Sequence, residues 1–173
     1  GKVAMQVALN QPERVASLIA ADIAPLAYRP DRHGGVLAGL SALAEARPDS
    51  RQQADRLLAQ HVSEPGVRAF LLKNLRRSED GHFDLLLYLD GILANYDETL
   101  TLAPTGEPFQ GPALFIKGAN SAYIQEKHRA EILQLFPHAQ LKVMDNTGHW
   151  LHAEKPDMFN RIVAAFLAEA TGN

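Results

Sequence analysis

The chain of 173 residues contains no cysteine, and this absence excludes disulfides, thiolate nucleophiles and thiolate metal ligands together. It also lacks a block of basic residues, and its formal net charge is −3. This charge argues against nucleic acid as a partner and against electrostatic anchoring to a membrane. No apolar run approaches the roughly 20 residues that span a bilayer. We therefore expect a cytoplasmic globular protein with neither a nucleic acid nor a membrane as its partner.

The residues that are present predict an α/β architecture with an insertion. Apolar residues make up 46% of the chain, enough for one good core. Residues 1–27 read as a helix followed by a strand, and residues 111–173 read as two further strands that alternate with helices. Residues 28–110 show helical periodicity interrupted by turn-forming residues, with no convincing strand. We expect an α/β core in two pieces, 1–27 and 111–173, around an all-helical segment at 28–110.

One loop near the end of the chain carries the strongest functional signal. Asn146, Thr147, Gly148 and His149 follow an apolar strand, and Pro156 begins the helix that closes the segment. A glycine before the histidine lets the backbone turn tightly at the carboxyl edge of a sheet. Proline fits the first turn of the next helix, where its missing N–H is not needed. An ordinary strand-to-helix loop would also explain this pattern, so other segments must decide.

This order of strand, Gly-His loop and helix resembles the histidine loop of the α/β-hydrolase superfamily. The first residues are similar to the helix that follows the nucleophile elbow of that superfamily, with the sequence Pro-Glu-Arg-Val after it. The resemblance implies the C-terminal half of an α/β-hydrolase fold with an inserted helical cap. No Gly-x-Ser-x-Gly occurs in the chain, so we expect the nucleophile just before Gly1. Roughly 80–100 residues would carry the missing half, in the same or a separate chain, and the segment alone would be inactive.

The acid that partners His149 is expected at Asp22. In most members of the superfamily, the acid follows the strand that is equivalent to Ala113–Lys117, but residues 118–125 contain no carboxylate. A subgroup of bacterial short-chain esterases resembles this chain in having Asp-Ile-Ala-Pro after the elbow helix and Asn-Ser-x-Tyr at the usual acid position. Asp22 would follow a strand, where catalytic groups collect in open α/β sheets, although it could simply cap a turn. Asp145 is the rival acid.

Three further residues are candidates for contact with substrate. Asn120 and Tyr123 lie in a loop that should face the site, and Trp150 follows His149 directly. The alternatives are a loop that is held by its own side-chain hydrogen bonds and an aromatic ring that packs beneath it. His152 and Glu154 lie close enough to His149 to suggest a metal site, but no well-spaced third ligand supports one, so we expect none.

The resemblance implies a carboxylic ester hydrolase that acts on small or short-chain esters through an acyl-enzyme. His149 would act as general base for a serine and Asp22 would orient it, with no cofactor. Haloalkane dehalogenases and epoxide hydrolases share the cap and the histidine loop but use an aspartate nucleophile. A non-catalytic protein that binds a small ligand on the same scaffold is the third possibility.

Overall fold

The computed structural model of the chain describes residues 1–172. The chain divides into two compact units, a core unit of residues 1–27 and 103–172 and an insert of residues 28–102. In chain order, the helices and strands are α1 (Lys2–Asn10), β1 (Leu18–Ala21), α2 (Gly34–Ala46), α3 (Arg51–Ala59), α4 (Pro65–Leu71), β2 (Leu75–Arg77), β3 (Phe83–Leu85), α5 (Leu89–Asn95), β4 (Ala113–Gly118), α6 (Arg129–Leu135), β5 (Ala139–Met144), α7 (Leu151–Glu154) and α8 (Pro156–Thr171). Across residues 1–172, every helix is too short or too polar to span a lipid bilayer.

The core unit contains a parallel three-stranded sheet in the order β1-β4-β5. Helices α1 and α6 contribute to the apolar cluster around Phe115, and α7 and α8 contribute to the cluster around Leu114 and Ile116. Residues 113–116 of β4 are buried on both faces of the sheet, so this run is continuously apolar and does not alternate. The parallel sheet flanked by helices confirms the α/β fold that the sequence predicted. All three strands end at the same edge of the sheet, so the loops after Ala21, Gly118 and Met144 are neighbours.

The insert is not purely helical, and that part of the expectation was wrong. Strands β2 and β3 form an antiparallel hairpin, with Arg76 opposite Asp84. The turn between them contains Gly81 at φ +92°, a conformation that glycine adopts without strain. On either side of the hairpin the expected helical structure is present, since α4 ends at Leu71 and α5 begins at Leu89. Strand and helix patterns are hard to distinguish in such short apolar runs.

Arg47 links this hairpin to the end of α2. Its guanidinium donates hydrogen bonds to Asp84 at 2.7 Å and to Asp80 at 2.8 Å. The hydrogen bond from Arg47, followed by one from Ser78, lowers the pKa of Asp84 to about 2. The backbone N–H of His82 is the main cause that lowers the pKa of Asp80, and Arg47 adds to it. The hairpin is therefore held to the helices by charged hydrogen bonds as well as by apolar contacts.

The second boundary of the insert lies at Leu102, earlier than the residue 110 that the sequence suggested. The side-chain amide of Gln6 donates to the Thr105 carbonyl at 2.6 Å and accepts from the Thr105 N–H at 3.1 Å. Phe109 is only 2% exposed and packs in the core-unit cluster with Phe136. These contacts place residues 103–110 in the core unit, although their sequence contains no strand or helix pattern that would have predicted it.

Candidate active site

Asp22 lies directly after β1 with its side chain fully buried. Its backbone adopts φ +50°, a left-handed conformation that aspartate tolerates better than most residues, and its N–H donates to the Ile116 carbonyl at 2.7 Å. The Gly118 N–H donates to Oδ1 at 3.1 Å, and the Ser121 hydroxyl donates to Oδ2. Hydrogen bonds to both oxygens therefore fix the orientation of this buried carboxylate.

His149 lies opposite Asp22, in the loop after β5. Its Nδ1 is 2.8 Å from Asp22 Oδ2, and its side chain is 42% exposed. The pairing assigns the proton of a neutral ring to Nδ1 and leaves the Nε2 lone pair to accept another. The distance is that of an ordinary hydrogen bond, as expected for an acid that partners His149. The two residues are 127 positions apart in the chain and meet because β1 and β5 end at the same edge of the sheet.

The turn that presents His149 is held by local hydrogen bonds. Asn146 adopts φ +53°, and the buried Thr147 hydroxyl donates to the Met144 carbonyl at 2.8 Å. The Gly148 N–H donates to the Glu154 carboxylate at 2.9 Å, which ties the loop to α7. These contacts fix the backbone immediately before the histidine.

The loop after β4 packs directly on the histidine loop. The Asn120 N–H donates to the Thr147 carbonyl at 2.9 Å. A Cβ atom at Gly118 would lie 2.1 Å from the Gly148 carbonyl oxygen, so only glycine allows this approach. The Lys117 ammonium group donates to the carbonyls of Gly118 at 3.0 Å and Ser121 at 3.1 Å. The loop that contacts Asp22 is thus also bonded to the backbone before His149.

The other predicted residues occupy different positions around this pair. Tyr123 stacks on the imidazole of His149, with ring centroids 3.9 Å apart and planes inclined by 16°. Asn120 is exposed, and Trp150 is half-buried beside His149. His152 packs edge-on against Phe159, with ring centroids 6.1 Å apart. Within residues 1–172, no group of three or more potential ligands could hold a metal ion.

The sequence reading missed two residues of this site. Ser121 was considered only as part of a loop near substrate, yet its hydroxyl contacts the Asp22 carboxylate. Gly118 donates to the same carboxylate and contacts the histidine loop. A hydroxyl in the loop where an acid is usual was the available signal for Ser121, whereas nothing in the sequence distinguished Gly118. The Asp145 carbonyl accepts from the Lys155 ammonium group at 2.8 Å, and the carboxylate that contacts the imidazole is that of Asp22.

The fold is shared with known hydrolases. A solved marine microorganism esterase matches with a TM-score of 0.86 and 35% identity, over 95% of this chain and 66% of that one. An E-2-(acetamidomethylene)succinate hydrolase, at 16% identity and a TM-score of 0.60, matches in fold alone. No family model matches the chain.

Curated relatives resemble the chain over nearly all of its length. The mouse sn-1-specific diacylglycerol lipase ABHD11 is 41% identical over 97% of this chain and 56% of its own length. The esterase YbfF of Escherichia coli is 36% identical over 96% of this chain and 63% of its own length. The chain thus spans a little over half of the length of these curated relatives. Together with the marine esterase, they show that the chain belongs to the α/β-hydrolase superfamily.

Proposed function

We propose that the chain forms part of a carboxylic ester hydrolase that uses a Ser-His-Asp triad. The observation that carries this proposal is the 2.8 Å hydrogen bond between His149 Nδ1 and the buried Asp22 carboxylate, at the edge of the sheet where the strands end. An imidazole that is oriented by a carboxylate is the base of this triad. The names of the relatives, which are esterases and a lipase, support the same reaction class.

The proposed nucleophile is a serine that precedes Gly1 in the whole protein. The serine would attack the ester carbonyl while His149 Nε2 takes its proton, and the protonated ring would then give this proton to the leaving alcohol. The alcohol departs and leaves an acyl-enzyme, which water attacks with His149 again as the base. Asp22 would hold the tautomer and stabilise the charged ring throughout.

The preceding half of the fold is the partner that this mechanism requires. Val3 on α1 is 70% exposed and Val7 is 41% exposed, which supports the burial of this apolar face against further protein. The greater length of the relatives supports it as well. The segment of 173 residues alone would then lack the nucleophile and would be inactive.

The proposed substrate is a small or short-chain ester, with the insert acting as the cap. Asn120, Tyr123 and Trp150 are the proposed contacts with substrate. Trp150 follows His149 directly in the chain, the Asn120 N–H donates to the Thr147 carbonyl in the histidine loop, and Tyr123 stacks on the imidazole. A cytoplasmic location remains part of the proposal, and cell fractionation with an antibody to the protein tests it.

Two matched histidine variants of the intact protein test the proposed function. His149→Ala should lower kcat/KM for p-nitrophenyl butyrate by about 10³-fold or more, with the thermal transition unchanged. His152→Ala should stay within about threefold of the wild type, because this ring contacts Phe159. Equal losses in the two variants, or full activity in His149→Ala, would contradict the triad.

The nucleophile is tested with a fluorophosphonate probe, which labels activated serines. We expect one labelled serine, in the peptide that precedes α1, and a loss of labelling in His149→Ala. An aspartate at that position, with turnover of a haloalkane or an epoxide, would replace the serine mechanism. Absence of turnover and labelling, together with binding of a small ligand, would make the protein a binding module.

A further inference from the structure

Tyr123 is joined to the Asp22–His149 pair by two separate contacts. Its phenol ring lies nearly parallel to the imidazole, with centroids 3.9 Å apart and planes inclined by 16°. Its backbone N–H donates to the Ser121 hydroxyl oxygen at 3.2 Å, and that hydroxyl donates to Asp22 Oδ2. One loop therefore holds the carboxylate and places an aromatic face against the ring that the carboxylate bonds.

The hydrogen bond to Asp22 does not by itself fix the orientation of the imidazole. Besides the covalent bond from Cγ to Cβ, the ring is restrained only at Nδ1, so coupled rotations about χ1 and χ2 can still tilt the imidazole plane while the hydrogen bond persists. The side chain of His149 is 42% exposed, so its surroundings enclose only part of it. A flat ring packed on one imidazole face restricts this rotation, because turning would drive the imidazole edge into the phenol.

The stacked ring also contributes electrostatically. The face of a phenol ring carries partial negative charge, and it attracts a cation that lies over it. The imidazole becomes positively charged only after it takes a proton, so this attraction is stronger in the transition state than in the ground state. An interaction with that property raises kcat and leaves ground-state binding of substrate unchanged.

We propose that Tyr123 is a positioning residue for His149, whose ring holds the imidazole plane so that Nε2 faces the nucleophile and stabilises the ring when it is protonated. This inference rests on the proposed function. It adds to the expected substrate contact of Tyr123 a role that acts on the general base. The two roles separate experimentally, because a substrate contact acts mainly on KM and the positioning role acts on kcat.

Ring-retaining and ring-removing variants of the intact protein test the inference. Tyr123→Phe keeps the aromatic face and should retain kcat for p-nitrophenyl butyrate within about threefold. Tyr123→Leu should lower kcat by about 10- to 100-fold, because misplacement of a catalytic group by about 1 Å can cost about 10²-fold. Loss of the proposed substrate contact would be seen separately, as a rise in KM. Phe159→Leu is the matched control, since it removes a ring that touches the neighbouring His152, and its kcat should stay near the wild type.

A double-mutant cycle adds a readout that loss of stability would not produce. Asp22→Asn and Tyr123→Leu both act through the orientation and charge of His149, so their combined loss of kcat should be smaller than the product of the separate losses. Thermal transitions of all variants, measured alongside, should lie above the assay temperature.

Three results would overturn the inference. The first is a raised KM with unchanged kcat in Tyr123→Leu, which would leave only a substrate contact. The second is an equal loss in Tyr123→Phe and Tyr123→Leu, which would assign the effect to the hydroxyl. The third is multiplicative losses in the cycle. If His149→Ala loses activity while Tyr123→Leu keeps the wild-type kcat, the positioning role of Tyr123 is refuted and the proposed triad is not. If His149→Ala is fully active, the proposed function is refuted.

Discussion

Replacement of Gly118 by alanine tests whether the close approach of two loops sets the position of the histidine. The N–H of Gly118 donates to Asp22, and its Cα faces the carbonyl of Gly148. An added Cβ would lie 2.1 Å from that carbonyl oxygen, where ordinary contact begins at 3.4 Å. Because φ of Gly118 is outside the left-handed region, alanine suits the backbone itself, and the conflict is with the neighbouring loop alone.

The magnitude follows from that conflict. The two backbones must separate by about 1.3 Å to restore ordinary contact, and His149 follows Gly148 directly. A displacement of that size would stretch the 2.8 Å bond between His149 and Asp22 beyond hydrogen-bonding distance. Misplacement of a catalytic group by about 1 Å can cost about 10²-fold in rate. We therefore expect Gly118→Ala to lower kcat for a short-chain p-nitrophenyl ester by about 10²-fold.

Gly148→Ala provides a matched control in the same pair of loops. The nearest atom to its added Cβ would be a Glu154 carboxylate oxygen at 3.2 Å, at the end of a flexible exposed side chain that can move aside. This variant should keep kcat within about threefold. Wild-type kcat in Gly118→Ala would refute the proposed effect of the close approach on His149. So would equal losses of activity in the two variants while near-UV circular dichroism shows that both remain folded.

Three other predictions concern the acid, the hairpin and the insert. Asp22→Asn should lower kcat by orders of magnitude, because the amide does not stabilise a charged imidazole. Asp145→Asn should lower kcat only slightly. Equal losses of kcat in esterase assays of the two variants would contradict the assignment of Asp22 as the acid. The pKa of Asp84 is about 2, below its unfolded value, so its contribution to stability is present above about pH 4 and is lost as the pH falls toward 2. Arg47→Met should weaken this pH dependence of stability, which acid titration followed by circular dichroism measures. An acid transition identical to that of the wild type would refute the stabilisation of the hairpin by Arg47. Leu58→Ala, at a fully buried position, should destabilise the insert by about 2–5 kcal/mol, and hydrogen exchange of residues 34–59 as slow as in the wild type would disprove this.

The sequence located the Asp22–His149 pair because chain order and strand ends carry that information. Asp22 directly follows one apolar segment that reads as a strand, and His149 lies in the loop after another. Parallel strands bring their carboxyl ends to one edge of the sheet. The contacts made by the loops around this pair could not be predicted from the sequence. The contact of Gly118 with Gly148 and the bond from Ser121 to Asp22 depend on how two loops pack, which no local spacing encodes.

The insert was harder to predict for a different reason. Strands β2 and β3 have three residues each, and their apolar positions also fit a helix. The turn residues Glu79, Asp80 and Gly81 were recognised as a break, but a break alone does not distinguish two helices from a hairpin. Long elements such as α8 gave the clearest pattern, and the helix that was expected to begin at Pro156 extends over Pro156–Thr171.

The two ends of the insert lie close together. The Tyr28 N–H donates to the Thr101 carbonyl at 2.8 Å, so the first and last residues of the insert lie side by side. A segment whose ends meet in this way can be exchanged as a cassette, because a replacement of any length needs only to span the same short gap. The acid and the histidine both lie in the core unit, so such an exchange would leave the Asp22–His149 pair in place. If the insert acts as the proposed cap, its variation is a route by which one such core could serve chemically different substrates.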